Sequence, residues 1–122
     1  MAEGTIEDTF YLVNESEEQV MLEVVMDSPA QTCTTTIDLE NNVIEPGHAG
    51  SYAEKPLDTN ISLIGKTIFI VTTVTNTSGM QAEAKMTVIL KGGLSNRETP
   101  FSATIEESDS VNFKYICKFF KG

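Results

Sequence analysis

The sequence predicts an all-β protein, a single antiparallel β-sandwich of jelly-roll or immunoglobulin-like type that spans residues 1–122. Three observations support this prediction. Apolar residues recur with a period of two, which places them on one face of a strand. Turn-forming residues separate these runs often enough for about eight short strands. No stretch shows the period of 3.6 residues that an amphipathic helix needs.

Three strands are predicted in the first third of the chain. The strands Thr5–Val13 and Gln19–Met26 are separated by Asn14-Glu15-Ser16-Glu17, whose side chains favour a turn. A loop at Ser28-Pro29 then leads to the strand Thr32–Leu39. One face of the second strand carries the apolar residues Val20, Leu22, Val24 and Met26.

Two later strands alternate more regularly. In Ala82–Leu90 and in Val111–Phe119, apolar residues alternate with polar or charged ones, so each strand has one face in the core and one in water. The pair Gly92-Gly93 is interpreted as a hairpin turn, because a strand and no helix follows it. The other predicted turns are Glu40-Asn41-Asn42, Pro46-Gly47, Asn76-Thr77-Ser78-Gly79 and Glu107-Ser108-Asp109.

The segment Thr67–Thr75 has high β-propensity and no charged residue. A strand of this composition has to be covered on both faces or paired at both edges, because an exposed one would aggregate. One interpretation makes it a central strand of the sandwich, flanked by the charged residues Lys66 and Glu83. The other makes it a surface that only a neighbouring subunit completes, with Ile68 and Ile70 in the contact.

Charge is distributed unevenly along the chain, whose net charge is −10. The first 54 residues hold twelve carboxylates and no lysine or arginine, whereas residues 61–122 hold seven basic and five acidic side chains. This polarity predicts attraction between copies, and Lys114 and Lys118, on the wet face of the last strand, are the expected basic contacts. Phosphate backbones would repel so acidic a chain, so nucleic acid is not an expected partner.

No targeting or membrane segment is predicted. Residues 1–4 lack the basic and apolar runs of a secretory signal, and no stretch approaches the roughly 20 apolar residues of a transmembrane helix. The cellular location is left open. Synthesis in the cytoplasm is expected, and release or display outside the cell by a non-classical route is left open as a later step.

The two cysteines, Cys33 and Cys117, both fall on predicted core-facing positions. Without a secretory signal, two reduced thiols that pack as small apolar side chains are expected, and a disulfide across the two sheets is the alternative. Zinc is not expected, because the sequence has no C-x-x-C spacing and its single histidine, His48, is distant from both cysteines.

Catalysis is not predicted. His48 follows Glu45-Pro46-Gly47, a sequence typical of a loop, where an imidazole is expected to be solvated. Neither a nucleophile elbow nor a phosphate-binding glycine motif is present. The carboxylate pairs Glu7-Asp8, Glu17-Glu18 and Glu106-Glu107 are adjacent in sequence, so in strands they point to opposite faces and do not form a glycosidase pair.

No cofactor is predicted, and calcium is the one ion that the sequence leaves open. Oxygen ligands cluster at Asp38–Asn42 and at Glu106–Asp109, although neither stretch matches a calcium-binding loop. The N-x-S sequences at Asn14, Asn60 and Asn76 are interpreted as turn residues instead of glycosylation sites, because no secretory signal accompanies them.

These features predict a non-enzymatic structural or interaction protein, a self-associating β-sandwich subunit of a homo-oligomer or fibre-like assembly. The alternative is a ligand-recognition module that binds carbohydrate or lipid through loops at one end of the sandwich. Such sites usually present exposed aromatic rings, and Tyr52, near the predicted loop at Pro46-Gly47, is the expected one. The interaction residues predicted from the sequence are Lys114, Lys118, Ile68, Ile70 and Tyr52.

Overall fold

The computed structural model describes residues 5–27 and 31–122, and within them it has nine strands and one short helix. The strands are β1 (Thr5–Val13), β2 (Gln19–Met26), β3 (Gln31–Leu39), β4 (Asn42–Ala49), β5 (Tyr52–Thr59), β6 (Thr67–Asn76), β7 (Ala82–Lys91), β8 (Arg97–Ile105) and β9 (Ser110–Lys121). The helix α1 (Asn60–Leu63) is a single turn between β5 and β6, and no helix of these residues could traverse a bilayer. The predicted turn at Ser28-Pro29 lies outside the described residues.

The nine described strands form two sheets. Sheet A has five strands in the order β1-β9-β6-β3-β4, and sheet B has four in the order β5-β2-β7-β8. One hydrophobic core takes buried side chains from both sheets, so the predicted all-β, two-sheet architecture is confirmed. The count exceeds the prediction of about eight strands, and the jelly-roll or immunoglobulin-like connectivity stays a prediction.

The alternation predicted for the last strand is confirmed and positions the core. The inward residues of β9 are all buried: Val111, Phe113, Tyr115, Cys117 and Phe119. From sheet B the ring of Phe101 packs against two of them, with centroids 5.5 Å from Phe113 and 6.4 Å from Tyr115. Aromatic contacts of this kind join the two sheets across the core.

The first and last strands pair in parallel, so the prediction of a wholly antiparallel sandwich is wrong for this pair. β1 pairs with β9 without interruption from Thr5 opposite Phe113 to Val13 opposite Lys121. A parallel pair needs a long crossover connection, and here the whole intervening chain supplies it. Local alternation carries no information about such a long-range pairing.

The uncharged segment Thr67–Thr75 lies in β6, which pairs with β3 on one side and with β9 on the other. Its interpretation as a central strand is therefore confirmed. Ile68 and Ile70 point into the core and are fully buried.

The predicted turn at Pro46-Gly47 is wrong, because both residues lie inside β4. β4 is an edge strand of sheet A and its pairing with β3 contains register shifts. Proline is tolerated at such an edge, where its missing N–H breaks no ladder. The turn before β4 is Glu40-Asn41, with φ of 48° and 66°, as a two-residue hairpin requires.

Two of the N-x-S asparagines are buried and close loops. Asn60 donates from Nδ2 to the carbonyl oxygens of Glu18 and Gly92, both at 2.9 Å. Asn76 donates from Nδ2 to the carbonyl oxygens of Met80 at 2.7 Å and Ile105 at 3.0 Å. With exposures of 0% and 1%, neither amide is accessible to a glycan in the folded chain, in line with a structural role.

Both cysteines are free thiols, so the disulfide alternative is wrong. They lie in the same sheet, where Cys33 is opposite Val74 and Cys117 is opposite Ile68 on β6. Positions six residues apart on a strand are separated by about 20 Å, far beyond the reach of a disulfide. Burial raises the pKa of each thiol, which keeps the reactive thiolate scarce at neutral pH.

Candidate interaction surface

The outward side of three adjacent strands of sheet A carries several large apolar side chains among polar and charged ones. Its exposed large side chains, with their exposed fractions, are Ile6 (61%), Phe10 (48%), Leu12 (39%), Phe69 (38%) and Phe120 (45%). The half-buried Val71 and Ile116 lie on the same side. We call these seven residues the β1–β9–β6 face. Single exposed apolar residues are ordinary, but a contiguous group is typical of an interaction surface.

Strand register makes these residues neighbours. Leu12 lies opposite Phe120 in the β1–β9 pair, and Phe69 lies opposite Ile116 in the β6–β9 pair. Side chains directly opposite each other on one sheet face have Cβ atoms about 5 Å apart. Register therefore brings apolar side chains of neighbouring strands together, and on the middle strand β9 they alternate with Lys114 and Lys118.

Cations hold the aromatic rings of this face in place. The rings of Phe10 and Phe120 meet edge to face, with centroids 6.2 Å apart. The guanidinium of Arg97 lies 5.4 Å from the Phe10 ring centre, and the Lys118 ammonium lies 5.4 Å from that of Phe120. Such contacts reduce the freedom of exposed side chains, so less entropy is lost when a partner covers them.

Charged side chains of both signs lie among the residues of this face. Lys114 lies opposite Ile6 on the neighbouring strand, and Lys118 lies opposite Phe10. Between these two cross-strand pairs lies a row of residues that are opposite one another on β1, β9, β6 and β3. In that order they are Asp8, Ile116, Phe69 and Asp38. The apolar pair Ile116 and Phe69 therefore has an aspartate at each end of its row. Along β9, Lys114 precedes Ile116 and Lys118 follows it on the same side of the sheet.

Of the interaction residues predicted from the sequence, Lys114 and Lys118 lie on the outward side of β9, among the apolar residues described above. Ile68 and Ile70 do not belong to this surface, because both are fully buried. As core residues they are inaccessible to a partner in the folded chain, and the surface role assigned to them is wrong. The exposed member of their strand is Phe69, which points the other way.

Tyr52 is only 8% exposed, so the prediction that it forms an exposed aromatic platform is wrong. Its ring packs edge to face against His48, with centroids 5.4 Å apart, and the Lys55 ammonium lies 4.8 Å from the ring centre. His48 is half-buried in β4 and not in a loop. Its Nε2 atom is hydrogen-bonded to the carbonyl oxygen of Ser51 at 2.9 Å.

A cleft of about 510 Å³ opens between the two sheets, beside the end of β2 and the start of β3. Its walls include Met26, Cys33, Gln31 and Val74. The Oε1 atom of Gln31 is buried without a hydrogen-bond partner among the described residues. An end-of-sandwich cleft is where the ligand-binding alternative would place its site.

The acidic stretch Asp38–Asn42 does not converge on a metal. Glu40 accepts a hydrogen bond from the backbone N–H of Thr67 at 2.8 Å, so its carboxylate anchors the start of β6. In the part of the chain that the structure describes, no three histidine, cysteine or acidic side chains are grouped to hold an ion. The geometry adds no support for the calcium alternative.

The exposed aromatic residues Phe10, Phe69 and Phe120 were not among the interaction residues predicted from the sequence. A signal was present in β1, where Ile6, Phe10 and Leu12 occupy one parity while Tyr11 and Val13 occupy the other. A strand that is apolar on both faces needs cover on both. Sheet B covers only the inner one, where Tyr11 and Val13 are buried.

No protein-family model matches this chain, and neither a curated protein nor a solved structure does.

Proposed function

We propose that this chain is a non-enzymatic, self-associating β-sandwich subunit that contacts a second copy through the β1–β9–β6 face. The observation that carries the proposal is the group of apolar side chains on three neighbouring strands, five of them large and 38% to 61% exposed. Covering apolar surface stabilises a complex by about 25 cal/mol for each Å² removed from water. A face of this kind gains free energy from being covered by another surface.

Charge favours a second copy as the partner. The chain carries a net charge of −10, which opposes close approach of two molecules in most orientations. The β1–β9–β6 face departs from this acidity, because Lys114 and Lys118 lie on its middle strand and Arg97 contacts Phe10, alongside Asp8 and Asp38. Two copies of one face can therefore oppose unlike charges around an apolar centre, in the isologous arrangement of most homodimers.

The apolar residues supply most of the association free energy in this proposal, and the charges set orientation. Contacts between exposed charges are worth little in water and are screened over about 8 Å at physiological ionic strength. Added salt also screens repulsion between two acidic chains. Association through the apolar face is therefore expected to persist or strengthen as salt is raised.

Replacing both Phe10 and Phe120 by serine is expected to weaken self-association by at least about tenfold, equivalent to about 1.4 kcal/mol, because two exposed rings leave the contact. Light scattering during size-exclusion chromatography, over a range of protein concentrations, measures the change. The matched control is Ile61→Ser, which removes a side chain of the same exposure as Phe10, 48%, from α1. The control should associate like the parent chain.

Charge reversal tests the same surface. The double substitution of Lys114 and Lys118 by glutamate removes the basic contacts and should weaken association at low salt more than at high salt. A parent chain that stays monomeric at every concentration and salt would contradict self-association and favour the ligand-binding candidate.

A second candidate function rests on the cleft of about 510 Å³, in which the Gln31 Oε1 atom has no hydrogen-bond partner among the described residues. We propose as the alternative a recognition module for a carbohydrate or lipid that offers a hydrogen-bond donor to this oxygen. Thermal unfolding in the presence of sugars and fatty acids discriminates the two functions. A rise in the midpoint that disappears in Gln31→Ala would support this candidate.

A further inference from the structure

Three of the four sheet edges in the described structure carry features that oppose strand addition. The edge strands are β1 and β4 in sheet A and β5 and β8 in sheet B. Pro46 interrupts β4, Pro56 interrupts β5 and Pro100 interrupts β8, and proline removes an N–H that a neighbouring strand would need. β1 contains no proline, and its pairing with β9 has no register shift.

The backbone groups of β1 alternate in direction along the strand. The carbonyl of Val13 points towards β9 and accepts from the N–H of Gly122 at 2.9 Å. The carbonyls of Leu12 and Phe10 point the other way, to the free edge. There they accept from the N–H of Leu94 at 3.1 Å and from the Arg97 guanidinium at 2.9 Å. Even-numbered residues of β1 therefore present their N–H and C=O groups to the free edge.

Residues 5–27 and 31–122 cover only the second half of this edge. Leu94 and Arg97 occupy the carbonyls of Leu12 and Phe10. β1 has no strand other than β9 beside it in the described chain, so the edge-facing groups of Ile6 and Asp8 have no strand partner. The Ile6 side chain is 61% exposed, the most of any large apolar residue in β1.

We propose that the open half of the β1 edge pairs antiparallel with the same segment of a second copy, in a two-fold arrangement centred on Ile6. The proposal names the partner as a second copy, so it rests on the self-association proposed above, but it uses a different set of atoms. The backbone N–H of each Ile6 donates to the carbonyl oxygen of the other. Sheet A then continues across the two-fold axis into a ten-stranded sheet.

The sequence of β1 favours this register over those centred on the next two residues. A two-fold axis centred on Glu7 places two glutamates directly opposite each other. An axis centred on Asp8 places two aspartates directly opposite each other. Like charges in that position destabilise a strand pair. A two-fold centred on Ile6 pairs two isoleucines and sets each Glu7 opposite Thr5, so unlike the other two it opposes no charges of the same sign.

The first test removes one backbone donor. Ile6→Pro lacks the N–H that bridges the two copies, whereas Ile6→Ala loses the side chain and keeps the N–H. Because the N–H of Ile6 faces away from β9, the ladder within the chain is retained, which circular dichroism checks. The proline variant is expected to associate at least about tenfold more weakly than the alanine variant. Equal association of two folded variants would overturn the proposal.

The second test is covalent and does not depend on the proline variant. Residues paired at a two-fold of this kind have Cα atoms about 5.5 Å apart, within the range of a disulfide. In a Cys33→Ser background, Ile6→Cys is expected to form a disulfide-linked dimer on mild oxidation. The control Leu12→Cys, on the covered half of the edge, is expected not to. Equal cross-linking at both positions, or none at Ile6, would overturn the register.

The two proposals fail separately. In one outcome the parent chain assembles, the Phe10 and Phe120 substitutions reduce assembly, and Ile6→Cys gives no cross-link. That outcome contradicts pairing at the β1 edge and supports contact through the β1–β9–β6 face. A parent chain that is monomeric throughout rejects both.

Discussion

Replacement of Phe113 by aspartate is expected to unfold the protein. Phe113 has no exposed surface and its ring packs on Phe101 from the opposite sheet. An unpaired carboxylate at this position costs several kcal/mol, a large part of the roughly 5–15 kcal/mol by which small domains are stable. Phe113→Ala, which leaves a cavity, is expected to lower the free energy of unfolding by about 3–5 kcal/mol.

The same strand provides the control for this prediction. Phe120 lies on the outward side of β9 and is 45% exposed, so Phe120→Ala should change the free energy of unfolding by less than about 1 kcal/mol. Urea denaturation followed by circular dichroism measures both variants. A Phe113→Asp variant that unfolds cooperatively at the urea concentration of the parent chain would show that the core is assigned incorrectly.

Replacement of Asn76 by alanine is expected to cost roughly 3 kcal/mol, the second largest effect, because a buried group left without its hydrogen-bond partner costs about 1–3 kcal/mol. The Asn76 amide donates to the carbonyls of Met80 and Ile105, and its Oδ1 accepts from the backbone N–H of Ser78 at 2.9 Å. One side chain thus connects the loop after β6 to the end of β8.

Asn14→Ala is the matched control, since Asn14 begins an N-x-S sequence of the same form. Its side chain makes a local turn contact, accepting from the N–H of Ser16 at 2.8 Å. Loss of this contact should cost no more than about 1 kcal/mol. Similar losses in the two variants, measured by urea denaturation, would contradict the bridging role of Asn76.

Strand boundaries were the part of the fold that local pattern predicted best. β1 and β2 begin and end at the residues predicted from the sequence, Thr5–Val13 and Gln19–Met26. Both are followed by polar residues that favour a turn, and their buried side chains lie at alternate positions. The physical reason is that side-chain direction in a strand repeats every two residues, so the pattern of burial can be inferred from neighbouring residues in the sequence.

Predictions that required a neighbour were less successful. Pro46-Gly47 has the composition of a turn, yet it lies in β4 because an edge strand tolerates a missing N–H. Tyr52 follows a glycine and a serine, yet it is buried against His48. In each case the position of the strand within the sheet decided the outcome, and that position depends on pairings distant in sequence.

By itself the sequence determined which residues alternate, that the uncharged segment Thr67–Thr75 has to be covered or paired, and that the chain is acidic at its beginning and slightly basic after residue 60. The tertiary structure decided where those features lie relative to one another. It places the acidic β1 in parallel beside β9, which carries Lys114, Lys118 and Lys121, so charges far apart in sequence become neighbours. Sheet order also determines which apolar side chains stay uncovered and which edge stays open, because both depend on the strands that lie alongside β1.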